Sequence, residues 1–350
     1  MREAAGMRHI HITRYWTSFC AVVASLVGGC SDDAGAGGGA LGGGGSASLP
    51  VYPAGETDVT LEYEGARRFR VYVPESLGGA TPRAVVLALH GGGGDGLSAS
   101  TPGQSPLAVF RDVADREDFV VVYPVGSVAL DGRLGWTDCR SDNLQASGAD
   151  DLGFLRAVVA KLRADYGLAA DRVFMSGTSN GGQMTLAFAA QASDDVAAIA
   201  TSSANLPETP LPGACTEGPS GPIPALMVHG SADTVMPFDG GCVANIGGGC
   251  ARGRVLGAEA TRDAYLRLNG LPDAWTQTET VEVDTTDPGT AERFVYEGSA
   301  PVEWWRLNGA GHASPSQVAI EEPTALTGAQ NHDVEFAEIA WAFFASRLPD

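Results

Sequence analysis

The stretch Arg172–Ala190, RVFMSGTSNGGQMTLAFAA, constrains the fold of this chain more than any other. Val173, Phe174 and Met175 form the short apolar run of a buried strand, Gly177 to Gly181 spell G-x-S-x-G, and a helix-like segment follows. A strand, a sharp turn and a helix in that order make one step of a layered α and β structure. The glycines let the backbone take a cramped turn that lifts the hydroxyl of Ser179 above the sheet edge. In a chain with 47 glycines among 350 residues such a pattern also arises by chance, so its meaning depends on its surroundings.

Those surroundings alternate. Val59, Leu61 and Tyr63, then Phe69, Val71 and Val73, are spaced two apart around Glu64-Gly65, which predicts an antiparallel hairpin. From Val85 to Leu89 the run is continuously apolar, as in a parallel strand covered on both faces. Leu107, Phe110 and Ala114 recur at helical spacing before a strand at Phe119 to Tyr123. Asp150-Asp151 can cap a helix carrying Leu152, Leu155, Val159, Leu162 and Tyr166 on one stripe, with Gly167 ending it. Strands are expected at Val196 to Ala200, Ala225 to Val228 and Val302 to Leu307, and helices at Ala258 to Leu268 and through Val334, Ala337, Trp341 and Phe344. An alternating strand pair is expected around Asp287-Pro288-Gly289. The class is therefore α/β, with a mostly parallel central sheet, an antiparallel N-terminal hairpin and helices on both faces.

Residues 1–30 carry Arg2, Arg8 and Arg14, an apolar run from Tyr15 to Val27 and small residues before Cys30, the pattern of a secretory signal. The run is shorter than the roughly 20 residues that span a membrane. Leu26-Val27-Gly28-Gly29-Cys30 resembles the lipobox of bacterial lipoproteins, which makes Cys30 a lipidation candidate, with ordinary cleavage nearby as the alternative. Residues 31–50 are dominated by Gly and Ala and read as a flexible linker, leaving 51–350 as the catalytic domain. The expected location is exported: a cell-surface or periplasmic lipoprotein, otherwise secreted, touching a membrane only through that anchor. Loss of residues 1–29 leaves 19 basic against 41 acidic residues, a formal charge of −22. Such a balance argues against nucleic acid as a partner and favours a neutral substrate. No C-x-x-C spacing marks a zinc site.

A serine hydroxyl needs a base to take its proton and an acid to orient that base. His9 and His11 belong to the signal, His90 and His229 precede glycines at strand ends, and His332 sits in Asn331-His332-Asp333 at an expected helix start. His312, in a flexible loop after the last strand, remains as the base. The acid should follow an intervening strand, which selects Asp233, with Asp239 second. Backbone N–H groups that hold a developing oxyanion are expected at Gly92 and Asn180, with Gly93 close behind Gly92. Cys139, Cys215, Cys242 and Cys250 allow three pairings. The favoured one is Cys242–Cys250, closing a short glycine-rich loop, with Cys139–Cys215. Trp136 is the tryptophan singled out as a substrate-binding wall.

From about Val59 to Leu348 the chain resembles the secreted polyhydroxybutyrate depolymerase and feruloyl esterase group, lipoprotein forms included. The matching pieces are Leu89-His90-Gly91, Val121-Val122-Tyr123-Pro124 with Trp136 and Cys139, Gly177-Thr178-Ser179-Asn180-Gly181-Gly182, His229-Gly230-Ser231-Ala232-Asp233 with Pro237, and Gly311-His312. The resemblance implies the α/β-hydrolase fold, no metal or other cofactor, and hydrolysis of a carboxylic ester, polymeric or small, through an acyl-serine. Gly92 stands where many members carry Cys, and Ala313-Ser314-Pro315 where many have Trp-Pro. A peptidase or acyltransferase with the same three groups, and a surface binding protein that keeps the fold without catalysis, are the alternatives.

Overall fold

The computed structural model describes residues 51–210, 221–244, 249–287, 289–319, 321 and 324–349. The signal and linker expected at 1–50, Cys30 and the Cys139–Cys215 pairing lie outside the described residues. The chain opens with the hairpin β1 (Gly55–Glu62) and β2 (Ala66–Val73), then β3 (Val85–Leu89), α1 (Gly96–Ala99), α2 (Val109–Glu117) and β4 (Val120–Pro124). A short pair, β5 (Ser127–Val128) and β6 (Leu134–Gly135), precedes α3 (Asp151–Tyr166), β7 (Val173–Thr178), α4 (Asn180–Ala192), β8 (Ala198–Ser202) and β9 (Ala225–Gly230). A second short pair, β10 (Gly241–Cys242) and β11 (Arg254–Val255), leads to α5 (Ala258–Leu268), β12 (Gln277–Val281), β13 (Ala291–Tyr296), β14 (Val302–Leu307) and α6 (Phe336–Ala345).

Ten strands form one sheet in the order β1-β2-β4-β3-β7-β8-β9-β14-β13-β12. From β4 to β14 neighbours run parallel, and an antiparallel pair closes each edge. The continuous apolar runs follow from this placement, because a central strand buries both faces. Val85, Leu87 and Leu89 share a core with Phe154 of α3 and Met184 and Phe188 of α4. Val86 and Ala88 point the other way, into a core built by Phe110 of α2 and Phe336 and Phe344 of α6.

The predicted helix ends hold, with one division of labour. Asp150 alone caps α3, accepting from the Gly153 amide at 2.8 Å, and Gly167 ends the helix in the left-handed region at φ 68°. Asp151 is buried and takes Arg67 Nη2 at 2.6 Å, Ser127 Oγ at 2.9 Å and the Thr137 amide at 2.7 Å, which ties the 125–137 loop to the N-terminal hairpin. His332 is not a helix start, since α6 begins at Phe336; its amide donates to Asp287 and its ring Nδ1 to the Ser316 carbonyl.

Phe174 of β7 is fully buried and stacks on Phe344 of α6, with ring centroids 4.7 Å apart and planes 15° from parallel. Phe174→Ala is expected to cost about 3–5 kcal/mol of unfolding free energy, read by chemical denaturation. A loss below about 1 kcal/mol would mean that this layer is not tightly packed.

Candidate active site

The turn between β7 and α4 is as tight as its sequence suggests. Ser179 has φ 53° and ψ −123°, a region rarely occupied by a residue with a side chain, and its amide is held by the Ser202 carbonyl at 2.9 Å. A β-carbon on Gly177 would lie 2.4 Å from the Gly181 oxygen, and one on Gly181 would lie 2.3 Å from the Leu89 oxygen. Both glycines are therefore required by close backbone approach.

Three predicted residues meet above the sheet. His312 Nε2 lies 2.9 Å from Ser179 Oγ, and His312 Nδ1 lies 2.8 Å from Asp233 Oδ2. With Nδ1–H donating a hydrogen bond to the carboxylate, Nε2 is left to accept from the serine hydroxyl. The loop carrying His312 is held rather than free: the Gly311 amide donates to the Ala329 carbonyl and the His312 amide to the Thr327 carbonyl, each at 2.6 Å. Asp233 is buried, whereas the second candidate, Asp239, is exposed. Asp233 Oδ1 accepts the amides of Val235 and Met236 at 2.8 and 2.9 Å. Burial by itself would raise its pKa. The nearby His229 ring and the hydrogen bond from His312 outweigh that and hold the carboxyl down to about 2. His229 Nε2, 3.4 Å from Asp233 Oδ2, donates to the nearer Met236 carbonyl at 2.9 Å.

The loop after β3 borders the serine. A β-carbon on Gly91 would lie 3.3 Å from Ser179 Cβ. Among the expected amide donors, Gly93 is already committed to the Leu134 carbonyl at 2.7 Å. The Gly92 amide has no protein acceptor among the described residues. Asn180 begins α4, so its amide lacks a helical acceptor. His90 organises this loop: Nε2 accepts the Gly126 amide at 3.0 Å, and Nδ1 then donates to the Gly91 carbonyl at 2.8 Å. Burial lowers the His90 pKa, in keeping with a neutral ring.

Sequence reasoning missed a polar chain behind the site. The Asn180 side chain accepts from the Trp136 amide at 2.7 Å and donates to Asp138 Oδ2 at 2.8 Å. Asp138 in turn pairs with Arg140 at 2.7 Å, both nearly fully buried. Trp136 is 3% exposed; its indole N–H donates to the His90 carbonyl at 2.9 Å, and the residue is among those lining the space beside Ser179. The only sequence signal for this chain was the polar cluster 137–140 within a loop.

Two clefts open onto Ser179, of about 320 Å³ on the Leu107 side and about 240 Å³ on the Trp136 side. A larger space of about 680 Å³ near Pro224, Glu303 and Arg347 contains none of the three meeting residues. Cys242 and Cys250 form a disulfide with Cα atoms 4.9 Å apart, and Val243 and Arg252, one and two residues along from its cysteines, line the smaller cleft.

No family model matches the chain. It is 37% identical over 123 residues to feruloyl esterase B of Neurospora crassa, covering 35% of this chain and 39% of that one. It is 28% identical over 184 residues to a bifunctional acetylxylan esterase/xylanase of Neocallimastix patriciarum, covering 52% and 23%. The chain spans between 23% and 58% of the length of the curated relatives it matches. Among solved structures, the acetyl xylan esterase from Aspergillus awamori superposes with a TM-score of 0.51 at 19% identity, over 74% of this chain and 94% of that one, a likeness of fold. Over part of its length the chain is thus similar in sequence to feruloyl and acetylxylan esterases, and its fold is the α/β-hydrolase fold.

Proposed function

We propose that the protein is a serine carboxylic-ester hydrolase. The observation that carries this reading is the unbroken relay from Ser179 Oγ through both nitrogens of His312 to the buried Asp233, opening onto the two clefts. His312 Nε2 takes the hydroxyl proton as Ser179 Oγ bonds to the ester carbonyl carbon, and the carbonyl oxygen becomes an oxyanion held by the amides of Gly92 and Asn180. Asp233 keeps the imidazole oriented and stabilises its transient positive charge. The intermediate collapses, the carbon–oxygen bond to the alcohol breaks, and His312 returns its proton to the departing oxygen. Water, deprotonated by His312, then attacks the acyl-serine, which releases the acid and restores the serine hydroxyl.

The feruloyl and acetylxylan esterases among the relatives favour esters of carbohydrate alcohols as the substrate class. Export belongs to the same proposal: residues 1–30 serve as the address and Cys30 as the lipid-bearing residue. Cys30→Ser would then shift the protein from the membrane fraction to the soluble one, and unchanged fractionation would remove the anchor from the reading.

Ser179→Ala is expected to lower hydrolysis of p-nitrophenyl esters at least about a thousandfold while leaving the folded circular dichroism spectrum intact. Full retention of activity would sink the assignment of the nucleophile. Asp233 supplies a pH test. Its carboxyl titrates at about 2 in the fold against 3.8 ordinarily, so its ionised form stabilises the fold by about 2 kcal/mol above pH 4. That contribution disappears as pH falls from about 4 to about 2. The stability gap between wild type and Asp233→Asn should accordingly narrow across that window in denaturation titrations. A gap constant with pH would contradict the buried, hydrogen-bonded carboxylate.

A further inference from the structure

The net charge of the chain favours neutral substrates, but the two clefts at Ser179 differ in local charge. The cleft on the Leu107 side carries Asp95 and Glu321 and no lysine or arginine. The one on the Trp136 side carries Arg133, Arg140 and Arg252 against Asp131.

Arg140 is committed to Asp138 and to the backbone carbonyl of Arg252. Arg252 is only half used. Its Nη2 pairs with Asp131 at 2.6 Å, while Nη1 has no protein acceptor among the described residues and lies 3.7 Å from where a β-carbon on Gly92 would sit. Glycine at 92 places no side chain of its own against that nitrogen. The Arg133 guanidinium likewise has no acceptor among the described residues, and its Cδ lies 3.7 Å from the position of a β-carbon on Gly93.

Arg252 is also held in advance. Residues 251 and 253 on either side of it are pinned, the Leu144 amide donating to the Ala251 carbonyl and the Gly253 amide to the Cys250 carbonyl, each at 2.9 Å. The Cys242–Cys250 disulfide closes the same loop. With its backbone held and Nη2 paired to Asp131, the Arg252 guanidinium loses less freedom on gaining a ligand, and its planar fork matches a carboxylate.

We propose that this cleft binds a carboxylate carried by the ester, through Arg133 and Arg252, so that the protein prefers esters bearing a free acid group on the acyl or the alcohol part. The inference rests on the ester-hydrolase reading of the same site. Asp131 has the supporting task of holding one edge of Arg252 while the other faces the cleft.

Two matched pairs of esters test it and separate the two sources of the acid group. In p-nitrophenyl hydrogen glutarate and its terminal amide the charge sits on the acyl side; in 3-acetoxypropanoate and 3-acetoxypropanamide it sits on the alcohol side. In one pair the wild-type protein is expected to show kcat/KM about tenfold higher for the carboxylate than for the amide, and about 0.5 M salt should reduce that ratio. Arg133→Ala and Arg252→Ala should each bring the ratio towards one. Because the ratio is measured within each variant, a general loss of folded protein does not move it. A wild-type ratio of one or less in both pairs, or an undiminished ratio in both variants, overturns the inference and leaves the hydrolase reading standing. Hydrolysis of none of the four esters overturns both.

Discussion

The carbonyl oxygens of Leu89 and His90 lie where the β-carbon of any residue other than glycine at position 181 would have to be. That contact presses the first turn of α4 onto the end of β3, and the site depends on it. The loop after β3 is carried against Ser179, and the first residue of α4 is brought beside Gly92, where a β-carbon would lie 3.5 Å from Asn180 Cβ. Gly177 permits the same closeness from the strand side. The unusual backbone of Ser179 is a consequence, since the chain must reverse between two backbones that nearly touch.

Around this contact the polar groups are paired so as to fix one arrangement. His90 receives the Gly126 amide on Nε2 and donates through Nδ1, and His312 likewise donates through Nδ1 and receives the Ser179 hydroxyl on Nε2, so both imidazoles hold the same tautomer, one ordering a backbone loop and the other facing the serine. Behind them the buried pair Asp138–Arg140 holds the Asn180 side chain and the Arg252 carbonyl together. A buried ion pair adds little net stability once its desolvation is counted. Its effect here is geometric: one carboxylate and one guanidinium connect the residue after the serine with the far wall of the cleft.

Much of this was legible in the chain because the signals are local. Val85–Leu89, Ala225–Val228 and Val302–Leu307 are continuous apolar runs since each strand is covered on both faces, and Asp150 and Gly167 mark their helix ends by capping chemistry. Ser179, Asp233 and His312 could be named from their positions after strands, and the fold sets them within hydrogen-bonding reach. The Asp138–Arg140–Asn180 chain was not legible, since Asp138 and Arg140 sit in a loop without periodicity and Asp138 bonds Asn180 across 42 residues. The same holds for Arg252, whose approach to Gly92 joins two loops far apart in the sequence. The second acid of Asp150-Asp151 was read as a cap because capping is a local rule, while its real partners, Arg67, Ser127 and Thr137, belong to other elements.

The parallel pairing of β14 with β9 has a consequence for the order of assembly. Ser179 and His312 are 133 residues apart in sequence, and His312 reaches its place only after β14 has docked along β9. A chain emerging from its N-terminus can build β3, β7 and the turn at Ser179 long before that. Until β14 is laid down, Ser179 stands without the His312 ring beside it, so the hydrogen bond between them is a late product of assembly that a chain cut short before β14 lacks.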